Sequence, residues 1–169
     1  MIELDQPHTE AQWREARRLI EEYASALNVD LSFQDLAQEL AQLDHEYGPP
    51  AGTFLIASED GVSLGCIGVR ALSADTAEMK RLYVVAQARG RGLGRILACA
   101  AIDAAKRLGY ARLLLDTLPT MQEARALYAS LGFEPIEAYR FNPIENTTFM
   151  QRDLRDWPIA SRASDECCS

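Results

Sequence analysis

The stretch Leu82-Tyr83-Val84-Val85-Ala86-Gln87-Ala88-Arg89-Gly90-Arg91-Gly92-Leu93-Gly94-Arg95 decides how this chain is read. It starts as the end of an apolar strand, Thr76 to Val85, and finishes at the opening of a long helix, Gly92 to Leu108. Ile96, Leu97, Ala100, Ala104 and Leu108 give that helix its inward face, and Gly109 is its natural stop. Gly90, Gly92 and Gly94 leave the backbone N–H groups between them unobstructed. The helix start adds four unpaired N–H donors and about half a positive charge. Together these form an anion site suited to a pyrophosphate. Arg89, Arg91 and Arg95 are placed to add charge-assisted contacts to its oxygens.

Two familiar phosphate loops do not fit. A P-loop needs GxxxxGK followed by Ser or Thr, and neither the spacing nor the lysine is present. A dinucleotide fingerprint needs glycine where this chain has Arg95, and expects its strand to open a parallel βαβ unit. Here the strand closes a meander. Thr53 to Ser58, a turn at Glu59-Asp60-Gly61, Val62 to Leu72, a turn at Ser73-Ala74-Asp75 and Thr76 to Val85 read as three antiparallel strands with short connections. Upstream, residues 9 to 27 and 32 to 46 have helical periodicity, with Thr9 and the Ser32/Asp35 pair as caps. Phe33, Leu36, Leu40 and Leu43 form the stripe of the second helix, and Gly48-Pro49-Pro50 ends it. Downstream, Ala111 to Asp116 is a buried strand and Thr120 to Leu131 a helix closed by Gly132; Phe133 to Ile136 and Thr147 to Asp153 are final strands. The order predicts one α/β domain over residues 1–154, a mixed sheet with helices on both faces. Residues 155–169 read as a polar tail.

The 169 residues carry a formal net charge of −8, and apolar residues make up 48% of them. One domain with a sizeable core follows. The acidic balance lacks the basic face of a nucleic-acid binder, and no apolar run reaches the ~20 residues of a membrane span. Met1 to Glu10 is too polar for a signal peptide, which points to the cytoplasm. Cys66 and Cys99 sit in apolar contexts and Cys167-Cys168 in the polar tail, so the cysteines do not read as a disulfide framework. His8 and His45 have no metal-ligand spacing.

Arg89-Gly90-Arg91-Gly92-Leu93-Gly94 resembles the R/Q-x-x-G-x-G/A motif of the GNAT acetyltransferase superfamily. Leu82-Tyr83-Val84-Val85 looks like the strand that precedes that motif, and Leu127-Tyr128-Ala129-Ser130-Leu131-Gly132-Phe133-Glu134 like the family's downstream "LYxxLGF" segment. The resemblance is strong from Ala77 to Glu134 and implies a single-domain, mostly antiparallel GNAT-like sheet. It implies acetyl-CoA as cofactor, coenzyme A as product and an amine-bearing acceptor, small molecule or protein. It also implies that the Val84 strand and the Ala111–Asp116 strand splay apart. The pantetheine arm would lie in that gap against Leu82, Tyr83 and Val84, with Thr117, Met121, Ala124 and Tyr128 nearby. The pyrophosphate would sit on Arg89, Gly90, Arg91, Gly92, Leu93, Gly94 and Arg95. Met121 departs from the pattern, since asparagine is frequent there and methionine supplies none of its hydrogen bonds.

The resemblance assigns Tyr128 as the acid that protonates the departing thiolate, and Glu78 as the base. Such a base needs a partly desolvated setting that raises its pKa. The Val84 N–H is the expected oxyanion donor. Tyr139, Arg140 and Asn142 form a loop rich in binding groups, and Tyr47 stands beside the Gly-Pro-Pro break; these are the acceptor candidates. The competing reading is an acyl-CoA-binding sensor or interaction module that does not catalyse. A monomer and a homodimer are both compatible with the sequence.

Overall fold

The computed structural model describes residues 1–27, 29–31 and 35–158. Asp60 (φ 51°) and Gly61 (φ 77°) take the left-handed conformations of a two-residue hairpin turn. They join β2 (Thr53–Glu59) to β3 (Val62–Ala71), and β4 (Thr76–Val84) completes the meander. The chain then passes through a 3₁₀ turn, Ala86–Ala88, into α4 (Leu93–Arg107). Gly109, at φ 95°, ends the helix and turns the chain into β5 (Arg112–Thr117), which runs parallel to β4. α5 (Gln122–Ser130), β6 (Glu134–Ile136) and β7 (Thr148–Asp153) follow.

Ahead of the meander, α1 (Glu10–Leu27) starts with a reciprocal cap. Thr9 Oγ1 accepts from the Gln12 N–H at 3.2 Å, and Gln12 Oε1 accepts from the Thr9 N–H at 3.0 Å. The single helix expected over 32–46 is instead two short ones, α2 (Leu36–Ala41) and α3 (Leu43–Tyr47), broken at Gln42. Asp35 stands at the α2 N-cap in a left-handed conformation, with no side-chain capping bond; Ser32 and Phe33 lie outside the described residues. The first residues also hold a strand the sequence did not suggest, β1 (Glu3–Asp5), paired to β2. Three residues, two of them charged, carry no alternation to read.

All seven strands form one sheet in the order β1-β2-β3-β4-β5-β7-β6, with β4–β5 as its parallel pair. The expected mixed, mostly antiparallel architecture is therefore what the chain forms. β3 shows why helices cover both faces. A Cβ at Gly65 would lie 3.1 Å from Leu97 of α4, and one at Gly68 would lie 2.6 Å from the Tyr47 ring of α3. Residues an odd number apart on a strand face opposite sides, so α4 and α3 lie on opposite faces. The buried core includes Leu19, Ile20, Phe54, Ile67, Leu97, Ile102, Leu113 and Leu115. Among the described residues no helix is long and apolar enough to cross a membrane.

Two irregularities open the sheet. Against β3, the register steps from Cys66↔Tyr83 to Gly68↔Lys80, so β4 carries one extra residue. Arg81 sits in this bulge at φ 63°. Against β5, pairing runs from Thr76↔Arg112 to Glu78↔Leu114. β5 continues to Thr117 with β7 while the two central strands part.

Candidate active site

The parted strands lead into a cleft of about 660 Å³. Leu82, Tyr83 and Val84 form one wall, the glycine segment its far end, and Met121, Ala124 and Leu127 the opposite wall. Tyr23 of α1 closes one side, edge-on to Tyr83 with ring centroids 5.9 Å apart. At the glycine end, Gly90 (φ 78°) and Gly92 (φ 79°) turn backbone toward open space; a Cβ on either would meet nothing within 4 Å. Gly92 is the N-cap of α4 and offers no side-chain cap. The first-turn N–H donors are thus left for an anion.

The arginines of this segment divide. The Arg89 guanidinium lines the cleft and donates to the Val84 carbonyl at 3.1 Å. Arg95 donates to Ser130 Oγ at 3.0 Å. Arg91 is drawn to Glu59 at 2.8 Å, so its backbone amide, not its guanidinium, is what it presents to the glycine segment. An open glycine cradle, a helix N-terminus and a strand edge without a sheet partner suit the pyrophosphate and amide-bearing arm of coenzyme A.

A second cavity of about 50 Å³ lies between the parted strands. Lys80 and Arg81 of β4 face Asp116 and Thr117 of β5 across it. Tyr23, Leu82, Met121 and Ala124 line both spaces, so the two adjoin. Tyr128 lines the smaller cavity, buried, its ring edge-on to Phe133 at 5.8 Å. Burial, then Tyr23 and Asp116, push its phenol well above the usual range, so it stays protonated at neutral pH. Thr117 Oγ1 lies 3.8 Å from Met121 Sδ, a weak hydrogen bond that occupies the sulfur.

Glu78 is fully buried among donors. Tyr139 Oη donates to Oε2 at 2.6 Å, and Arg140 pairs with the same oxygen. Arg70 reaches Oε1 at 3.1 Å and Lys80 lies 3.9 Å from it. Burial alone raises its pKa, but Lys80, Arg140, the Tyr139 hydroxyl and Arg70 together outweigh it, and the carboxyl sits below the ordinary range. The desolvation expected of a base is present, while the direction of the shift is the reverse. Arg140 stacks over the Tyr139 ring at 5.0 Å, and Tyr139 packs edge-on against Phe149. Asn142 accepts from the Ile144 N–H at 2.9 Å and places Nδ2 3.4 Å from Asp116.

Tyr47 is fully buried and edge-on to Phe54; like Glu78, Tyr139, Arg140 and Asn142, it lines neither cavity. Sequence reasoning also missed a buried ion network behind Glu78. Glu39 of α2 accepts from Arg81 Nε at 2.8 Å, and Arg70 reaches Glu39 at 3.4 Å and Glu46 at 3.2 Å. A signal was there: Glu39 lies three residues after Leu36 and four before Leu43, on the apolar stripe.

Comparison with known proteins agrees with this geometry. The model of the acetyltransferase (GNAT) family matches residues 13–133. An uncharacterized N-acetyltransferase of Schizosaccharomyces pombe is 41% identical over 140 residues, which is 82% of this chain and 86% of the relative. The N-acetylaspartate synthetase of Rattus norvegicus is 31% identical over 105 residues, 61% of this chain and 35% of that protein. Among solved structures, a Salmonella typhimurium acetyltransferase crystallised with acetyl-CoA superposes with a TM-score of 0.65 at 23% identity, covering 96% of this chain and 99% of its own. The chain belongs to the GNAT acetyltransferase family and is an acyltransferase whose co-substrate is acetyl-CoA.

Proposed function

We propose that the enzyme transfers the acetyl group to an amine by direct attack within a ternary complex. The observation that carries this reading is that the two cavities share Tyr23, Leu82, Met121 and Ala124, with Tyr128 on the wall of the smaller one. The long cleft suits the thioester, and the small polar cavity suits the amine. As the C–N bond forms and the C–S bond breaks, the Val84 N–H donates to the developing oxyanion. One such donor is typically worth about 100- to 1000-fold in rate. Tyr128 gives its proton to the departing thiolate, a role that a phenol held in its protonated form can fill. Glu78 is ionised at neutral pH and is the candidate to accept the ammonium proton. It becomes basic enough once Arg140 or Tyr139 turns from it to substrate. The N-acetylaspartate synthetases are named for a product built on an amino acid, which favours a small free amine over a protein side chain.

Release of free thiol from acetyl-CoA across a panel of amines tests the proposal, with acetyl-CoA binding measured separately. Acceptor-dependent release supports it. Binding of acetyl-CoA with no release for any amine would identify a module that holds the cofactor without catalysis.

A further inference from the structure

Lys80 has no evident structural work. Its ammonium is buried and makes no hydrogen bond. The facing charges are Glu78 at 3.9 Å, the neighbouring cations Arg70 and Arg81, and Asp116 across the cavity. Glu78 is already engaged by Arg70, Arg140 and Tyr139, and does not close on Lys80. A buried cation without hydrogen bonds is strongly unfavourable, and an anionic ligand on it would offset that cost. A second donor nearby shares this state. Arg140 Nε is buried and unpartnered, on the guanidinium that pairs with the opposite oxygen of Glu78. Of the two, Lys80 is the one that stands on the wall of the small cavity.

The ligand this ammonium lacks is an anionic acceptor such as a carboxylate. Across the cavity, Asp116 offers the opposite charge beside Tyr128 and the cleft. Its hydrogen-bond partner there is the neutral Asn142 amide, at 3.4 Å. One wall thus suits a carboxylate and the other an ammonium. We propose that the acceptor is a free α-amino acid, its carboxylate held by Lys80 and its amino group directed by Asp116 toward the thioester. This rests on the acetyltransfer reading above and names its substrate class.

Two measurements test it. In the first, thiol release is followed with L-amino acids, their α-carboxamides, putrescine and a lysine-containing peptide. The acids should exceed their carboxamides by about 100-fold or more in kcat/KM, since the carboxamide leaves the buried Lys80 ammonium unmatched. Lys80→Met should raise the acceptor KM by roughly 10- to 100-fold, and Lys80→Arg should recover part of the loss. An acetyl-CoA-dependent rise in melting temperature in each variant reports that it is folded. Carboxamides, putrescine or peptide used as well as the acids would overturn the proposal, as would an unchanged acceptor KM in Lys80→Met. The second measurement is calorimetric binding of N-acetyl amino acids and their carboxamides with coenzyme A present, which needs no turnover. Carboxylate-dependent binding that Lys80→Met abolishes supports the site even if no amine is acetylated, in which case the acetyltransfer reading alone fails. Equal binding of acids and carboxamides overturns it.

Discussion

Burial acts on Glu78, Lys80 and Tyr128 in one site with three outcomes. Tyr128 loses solvent and gains no cation, so its phenol is held protonated. Replacing it with phenylalanine keeps the edge contact to Phe133 and removes the proton. If Tyr128 is the acid, the chemical step should slow by roughly 100-fold or more, with acetyl-CoA binding little changed; single-turnover rates in Tyr128→Phe would show it. Glu78 gains enough positive neighbours to remain ionised despite its burial. Lys80 does not recover its desolvation, and its pKa falls from 10.5 to about 8. Between those two values the unfolded chain binds more protons than the folded one, so stability rises with pH across that window. Lys80→Met should accordingly melt a few degrees above wild type near pH 7, and that advantage should shrink toward pH 10. A variant no more stable than wild type at neutral pH would mean that the ammonium is better solvated than its burial implies.

Strand β4 is the element on which most of the site depends, and its bulge is held from outside the strand. Arg81 stands in the bulge, and its guanidinium is tied to Glu39 of α2, both side chains 2% exposed. Removing one member of a buried pair leaves an uncompensated charge, at about 3–5 kcal/mol. Glu39→Leu should therefore lower the urea midpoint sharply, and Glu39→Leu combined with Arg81→Met should recover much of the loss. Elements written in local chemistry were legible in the sequence: the Asp60-Gly61 hairpin, the Thr9 cap, α4 with its Gly109 stop and the apolar β5. Gln42, which breaks the second helix, is an ordinary helix former, and β1 is fixed by pairing with β2, so neither left a pattern. The partners of Glu78 were hidden for the same reason. Tyr139 and Arg140 lie 61 and 62 residues away in sequence, and Lys80 and Arg81 look like solvent-facing strand charges although both are buried. The glycine segment was legible because it is local; the partners of Glu78 were not, because they come together from β3, β4 and the loop before β7.

At the scale of the whole molecule, the sheet is two blocks joined through a short parallel seam. β1 to β4 form one and β5, β7 and β6 the other, with three register pairs between β4 and β5. The large cleft begins where that seam ends and is walled by β4, the start of α4, the α5 segment that follows β5, and α1. A ligand that binds there and not to the unfolded chain should brace the two blocks against each other. At 100 times its dissociation constant, acetyl-CoA should stabilise the fold by about 2.7 kcal/mol. For a chain of this length that is a rise of about 5 to 10 °C in melting temperature. Gly94→Val gives the sharpest control. Gly94 has no positive φ, and a Cβ there would stand 3.7 Å from Leu127 Cδ2, an ordinary contact, so the variant should fold. Its branched side chain would project at the first turn of α4, where a pyrophosphate needs the backbone N–H groups bare. Gly92→Val is less clean, because Gly92 sits at φ 79° and a β-branched residue is strained there with or without ligand. The expected result is a Gly94→Val protein that melts near the wild-type temperature without ligand and does not respond to acetyl-CoA. A full thermal response in that variant would move the pyrophosphate away from the start of α4.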